Sequence, residues 1–125
     1  MTTPSEPHSG TLTSHVLDTA LGKPARNVTV ILEVRDGPPE AEGRWTTLCE
    51  RITDSDGRVR DLLDGHPLEA RVYRITFETG AYFRAAGRPS FYPHVQVEVA
   101  ITAPADHHHL PLLLSPFGYS TYRGS

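Results

Sequence analysis

Val95-Gln96-Val97-Glu98-Val99-Ala100-Ile101 places an apolar residue at every odd position. In an extended chain successive side chains point to opposite faces. This period of two therefore builds one continuous apolar face, the mark of a half-buried strand. Tyr73-Arg74-Ile75-Thr76-Phe77-Glu78 repeats the pattern with Tyr73, Ile75 and Phe77 inward. Val28-Thr29-Val30-Ile31-Leu32-Glu33-Val34-Arg35 does the same with Val28, Val30, Leu32 and Val34. Three such segments make strands the framework of the chain.

Weaker alternation extends the series to residues 12–17, 45–53 and 59–63. Turn chemistry separates the strands at Gly22-Lys23-Pro24, Asp36-Gly37-Pro38-Pro39 and Asp54-Ser55-Asp56-Gly57, where Asp-Gly supplies the positive φ of a tight reversal. Only residues 79–86 read as helix, with Thr79 as N-cap, Tyr82-Phe83 and Ala85-Ala86 as a short apolar face, and Gly87 as the stop. Seven or eight strands and one short helix predict an all-β sandwich.

Composition sets the bounds. A chain of 125 residues is one domain, able to bury roughly two-thirds of its unfolded surface. Ten glycines and eleven prolines are about one residue in six, against about one in eight on average, which excludes a long helical bundle. The net charge of −3, with no block of Lys or Arg, lacks the footprint of a nucleic-acid binder. A 38% apolar and 22% charged composition excludes global disorder. The single Cys49 cannot form an internal disulfide, and its place in the alternation of Trp45-Thr46-Thr47-Leu48-Cys49 suits packing better than nucleophilic chemistry. No stretch approaches the length of a membrane span, and the polar first ten residues lack the regions of a signal peptide. The expectation is a soluble cytoplasmic protein with a flexible leader over residues 1–10 and a single domain over residues 11–125.

Seven histidines remain, three of them consecutive in His107-His108-His109-Leu110-Pro111-Leu112-Leu113-Leu114. As a strand, this stretch sends His107, His109 and Leu113 to one face and His108, Leu110, Leu112 and Leu114 to the core. Pro111 cannot donate a ladder bond, which predicts an edge or an irregular pairing there. Three readings stay open: solvated or locally bonded imidazoles, a metal site, or acid–base chemistry near neutral pH. A metal would need further ligands, for which His15, His66 and His94 are candidates by type alone. In Leu12-Thr13-Ser14-His15-Val16-Leu17, alternation groups His15 with Thr13 and Leu17, opposite Leu12 and Val16. Arg58 directly follows the Asp56-Gly57 turn. It is either a solvated cation or a planar five-donor fork aimed at a carbonyl or an anionic ring.

In combination these residues form a pattern. The run from His107 through Ser115-Pro116-Phe117-Gly118-Tyr119-Ser120-Thr121 to Tyr122-Arg123-Gly124-Ser125 resembles the end of the 5-hydroxyisourate hydrolases, the transthyretin-related proteins of purine breakdown. Leu12-Thr13-Ser14-His15-Val16-Leu17-Asp18 with Gly22-Lys23-Pro24-Ala25, and Thr53-Asp54-Ser55-Asp56-Gly57-Arg58, resemble that family's first and middle signatures. Three separated motifs in the right order cover residues 12 to 125.

The resemblance implies a transthyretin-like sandwich, assembled as a homotetramer with sites in the channel where dimers meet. It implies hydrolysis of 5-hydroxyisourate with His15, Arg58, His109 and Ser125 as the catalytic set and Tyr122 as a substrate contact. No metal or organic cofactor is implied. Where many members have His-Tyr-His, this chain has His107-His108-His109; His108 points away from His109, so the change bears on packing rather than chemistry. Opening a cyclic amide needs an activated water, stabilisation of the carbonyl oxygen and a proton for the leaving nitrogen. His15 and His109 suit water activation and proton shuttling in either order, Arg58 suits holding and polarising the substrate, and Ser125 suits orienting a histidine or the water by its hydroxyl or carboxylate. His107 is a neighbour on the same face. The alternative is a transthyretin-type carrier that binds a small aromatic ligand without chemistry.

Overall fold

The computed structural model describes residues 10–125. The expected leader lies outside these residues apart from Gly10, whose backbone N–H donates to the Pro104 carbonyl at 2.7 Å. The elements in chain order are β1 (Thr11–Asp18), β2 (Lys23–Pro24), β3 (Thr29–Arg35), β4 (Trp45–Ile52) and β5 (Arg58–Val59). They continue with β6 (Val72–Phe77), α1 (Thr79–Ala85), β7 (Val95–Ala100), β8 (His107–Ser115) and β9 (Gly118–Thr121). Among the described residues no helix is long and apolar enough to cross a membrane.

Two sheets face each other. One runs β4-β3-β6-β7 and is antiparallel throughout. The other runs β2-β1-β8-β9, with β5 also paired to β1. Within it β1 and β8 are parallel, in a register that matches Thr11 with His107, Thr13 with His109 and His15 with Pro111. The core lies between the sheets, where Val16, Leu112 and Leu114 meet Val30, Leu32, Ile75 and Phe77. Each belongs to a period-two apolar face. Burying one such side chain is worth about 1.5–3 kcal/mol, so slipping any strand by one residue would exchange its core set for its polar set.

Four local expectations are modified. Of residues 59–63 only Val59 is in a strand, the two-residue β5, because the Asp61 carboxylate accepts the N–H groups of Leu63 and Asp64, each at 3.1 Å, and turns the chain out of the ladder. Thr79 is the first helical residue rather than the N-cap; Glu78 occupies that position. The reason is that the Glu78 N–H is still held by the Thr29 carbonyl, so β6 runs straight into the helix. Of the expected apolar face of α1, Phe83 is buried while Ala85 and Ala86 are exposed. Pro111 lies not on an edge strand but in β8, between β1 and β9. Pairing beside it is irregular all the same: the β8–β9 ladder stops at Leu112 opposite Thr121 and resumes only at an isolated bridge between His109 and Gly124.

Asp18, fully buried at the end of β1, accepts hydrogen bonds from Arg88 Nη1 at 2.6 Å, from the Tyr82 hydroxyl at 2.8 Å and from the N–H groups of Ala20 and Leu21. Burial pushes its carboxyl up, but the bonds from Arg88 and Tyr82 prevail and hold it below the usual range. This strut ties the end of β1 to α1. Cys49 is buried, its thiol donating to the Leu62 carbonyl at 2.9 Å, and burial pushes that thiol up, away from the reactive thiolate.

His108 faces the core as alternation requires, with its Nδ1 3.0 Å from the Asp106 carbonyl. Burial and the nearby Arg123 charge lower its pKa against the opposing pull of that carbonyl. A histidine kept neutral in the fold takes up a proton more readily when unfolded, so stability falls as pH drops below about 6.5. His108→Tyr should remove this loss, read as a flatter pH dependence of the urea midpoint between pH 7.5 and 5.5.

Candidate active site

The outer face of the five-stranded sheet carries the site. In a parallel pair in register, side chains at matched positions emerge on the same side. Thr11, Thr13 and His15 of β1 therefore stand in one seam with His107 and His109 of β8. On the other side of β1, β5 pairs Arg58 with His15. The Gly124 N–H donates to the His109 carbonyl at 2.8 Å, which lays the last residues of the chain across His109. Thr13, Arg58, Arg60, His107, His109 and Ser125 line the resulting groove, which is open to solvent.

The loop before β5 holds two of these groups in place. The Asp54 carboxylate accepts the N–H groups of Asp56 at 2.8 Å and Arg58 at 3.0 Å. Those bonds hold its pKa low, the Arg58 N–H contributing most. Gly57 in this loop has φ of +73°, and a side chain there would collide with the Val16 carbonyl and approach the Ala25 nitrogen to 3.1 Å. The loop can thus press against β1 only with glycine. It delivers the Asp56 carbonyl to His15 Nε2 at 2.8 Å. A carbonyl only accepts, so Nε2 carries the proton and Nδ1 is the basic nitrogen of neutral His15.

His109 Nδ1 lies 2.7 Å from the Thr13 hydroxyl. One rung away, the Thr11 hydroxyl pairs with His107 Nδ1. The His107 and His109 rings are stacked, 6.3 Å between centroids and 16° apart in plane. Burial lowers the pKa of both His15 and His109, and the Arg58 charge lowers both further; His107 and His15 add to the effect at His109. Both imidazoles are therefore held towards the neutral form, able to accept a proton at neutral pH. Among the described residues the Arg58 guanidinium makes no hydrogen bond or ion pair, whereas Arg60 has distant partners in Asp54 at 3.8 Å and Asp56 at 3.6 Å. A free fork of donors beside two neutral imidazoles suits a polar, carbonyl-rich or anionic ring.

The structure brings Arg58, His109 and Ser125 into one groove; His15 does not line that groove but stands beside it, paired with Arg58 across β1 and β5. Tyr122 stands elsewhere. It is exposed and lines a second, more apolar groove with Val97, Val99, Ile101, His108 and Leu110, which adjoins the first at His109, a wall of both. The cause is the break in the ladder between Thr121 and Gly124, which lets the chain leave the sheet at Tyr122. His66 and His94 do not join the groove, and among the described residues no three His, Cys, Asp or Glu side chains converge as a metal-ligand set. Sequence reading missed Thr13 as the partner of His109, Arg60 as a wall and Gly124 as a contact. Alternation already placed Thr13 on the outer face; only the strand pairing set it against His109.

An all-β sandwich of this topology, with a polar groove of histidines and arginine on one sheet, is a transthyretin-like fold furnished for chemistry. A family model described as the HIUase/Transthyretin family matches residues 12–124. The chain belongs to that family. It is 45% identical over 118 residues to a 5-hydroxyisourate hydrolase of Caulobacter vibrioides, covering 91% of this chain and 97% of the relative. The solved structure of Klebsiella pneumoniae 5-hydroxyisourate hydrolase matches with a TM-score of 0.78 at 42% identity, covering 93% of this chain and 94% of that one. Transthyretin from Sparus aurata matches with a TM-score of 0.80 at 32% identity, covering 90% of this chain and 95% of that one.

Two measurements check the electrostatics and geometry. Removing the positive charge in Arg58→Gln relieves the repulsion felt by each imidazolium, so the NMR titration midpoints of His15 and His109 should both rise. A Cβ on Gly124 would lie 2.6 Å from His109 Cδ2 and 3.2 Å from Pro111 Cγ. Gly124→Ala should therefore displace the tail or the imidazole and lower catalytic turnover by about tenfold or more, with the thermal midpoint nearly unchanged.

Proposed function

We propose that this protein hydrolyses 5-hydroxyisourate to 2-oxo-4-hydroxy-4-carboxy-5-ureidoimidazoline, working in the cytoplasm as a homotetramer. The observation that carries the reading is the gathering of His109, Arg58 and Ser125 on a single groove from elements far apart in the chain, with His15 beside it as the rung partner of Arg58. The substrate is an oxidised purine whose six-membered ring contains an acyl C–N bond. A water oxygen bonds to the acyl carbon, the C–N bond breaks, and the departing nitrogen takes up a proton. His15 and His109 supply water activation and proton shuttling, the guanidinium of Arg58 holds the ring and polarises its carbonyl, and the Ser125 hydroxyl orients an imidazole or the water. These steps use only side chains and water, with no metal or organic cofactor.

Tyr122 lines the neighbouring groove that His109 also walls, so a substrate contact by Tyr122 would come from that side of His109. A carrier without chemistry is the weaker reading, because a groove walled by Arg58, Arg60, His107 and His109 offers an apolar aromatic ligand little to bury against.

The test is the ultraviolet decay of freshly generated 5-hydroxyisourate. The intact protein should accelerate it, and His109→Ala should cut kcat/KM by about a hundredfold or more while retaining the circular dichroism of the fold. Unchanged decay in the variant would remove His109 from the mechanism. No acceleration by the intact protein would remove the hydrolase reading.

A further inference from the structure

The hydrolase reading leaves the two histidines interchangeable; their hydrogen-bond partners do not. A neutral imidazole has one N–H and one lone pair, and the partner of one nitrogen decides what the other presents. At His15 the partner is a carbonyl on Nε2, so the free nitrogen, Nδ1, presents a lone pair. At His109 the partner is the Thr13 hydroxyl on Nδ1.

A hydroxyl can donate or accept, and its surroundings choose. Among the described residues the Thr13 hydroxyl has no partner other than His109. Donating to Nδ1 places the only hydroxyl proton on the imidazole lone pair; accepting from Nδ1 would leave that proton with only the solvent of the groove as its acceptor. Thr13 is also β-branched, which restricts its χ1 and keeps the hydroxyl on the rung opposite His109. On another side of the ring, Gly124 packs so close to Cδ2 and Cγ that it leaves no room for a side chain. The imidazole is thus pinned between a hydroxyl and the chain's last turn.

We propose that Thr13 is a positioning residue that holds His109 in its Nε2–H tautomer, which makes His109 a hydrogen-bond donor to the substrate carbonyl and leaves His15 as the base. This rests on the hydrolase reading but replaces its shared proton chemistry, giving both water activation and proton shuttling to His15 alone. The proton balance then closes on one residue. His15 Nδ1 takes a proton from water as the water oxygen bonds to the acyl carbon. The same proton passes to the ring nitrogen as the C–N bond breaks, returning His15 to its neutral form. His109 keeps its proton throughout. Its Nε2–H, with the Arg58 guanidinium, stabilises the negative charge that builds on the carbonyl oxygen. A neutral imidazole does this without first losing a proton, as the neutral histidine electrophile of triosephosphate isomerase does. Thr13 itself touches neither substrate nor water in this scheme.

Long-range ¹H–¹⁵N correlation NMR on the intact protein at pH 7.5 reads the tautomers without any turnover. The expected result is a neutral His109 protonated at Nε2. Thr13→Val, close in shape to threonine, should turn this into a mixture of both tautomers and lower kcat about tenfold with KM within twofold. Thr13→Ser, which restores the hydroxyl, should recover kcat to within about threefold of the parent. Thr11→Val makes the same chemical change one rung away and should leave kcat within twofold. A His109 protonated at Nδ1 or doubly protonated in the parent protein would overturn the proposal. So would an unchanged tautomer in Thr13→Val. If the parent protein fails to consume 5-hydroxyisourate, the hydrolase reading falls and takes the catalytic roles with it. The positioning of His109 by Thr13 is still judged by the NMR result.

Discussion

Everything at the site depends on the parallel, in-register pairing of β1 with β8. Eight rungs run from Thr11 opposite His107 to Asp18 opposite Leu114. In this pairing the inward set Leu12, Ser14 and Val16 meets the inward set His108, Leu110 and Leu112, while the outward Thr13 meets the outward His109. The register is locked from within. The buried Ser14 hydroxyl donates to the Leu110 carbonyl at 2.7 Å, and the Thr19 N–H donates to the Leu114 carbonyl at 2.8 Å. A slip of one residue would bury Thr13 and His15 and expose Leu12 and Val16. The core that stabilises the sandwich thereby also sets the geometry of the groove.

The second dependence is electrostatic. The groove concentrates Arg58, Arg60, His107 and His109, with His15 alongside, in a chain whose net charge is negative. Arg58 has two consequences there. It offers unpaired donors to a ligand, and it discourages protonation of His15 and His109, which burial already disfavours. The loop from Asp54 to Arg58 couples these effects. One carboxylate holds the loop closed, one glycine lets it lie against β1, and the result sets both the proton position on His15 and the place of Arg58. Local polar bonds do here what packing does elsewhere in the molecule.

How far the sequence could be read follows from which contacts are local. The strands over residues 28–35, 73–78 and 95–101 were legible because their period of two extends over six or more residues. The outward direction of His15, His107 and His109 was legible for the same reason. The limits of β5 and the cap of α1 were not. Each is set by a backbone bond to a distant segment, or by a side-chain bond that competes with the ladder. Tyr122 shows the same limit. Its motif groups it with Ser125, yet the irregular pairing beside Pro111 turns it towards another groove.

By itself the sequence determined the class of fold, the inward and outward faces of its strands, and the residues with the chemistry to act on a cyclic amide. These follow from alternation, turn residues and side-chain type, all properties of neighbours in the chain. Only the tertiary structure decided that β8 lies parallel to β1 and in which register, and hence that Thr13 meets His109 while Asp56 meets His15. Residues 13 and 109 are 96 positions apart. No local preference links them; the shared apolar core does, by fixing how two strands must align to bury their leucines and valines together.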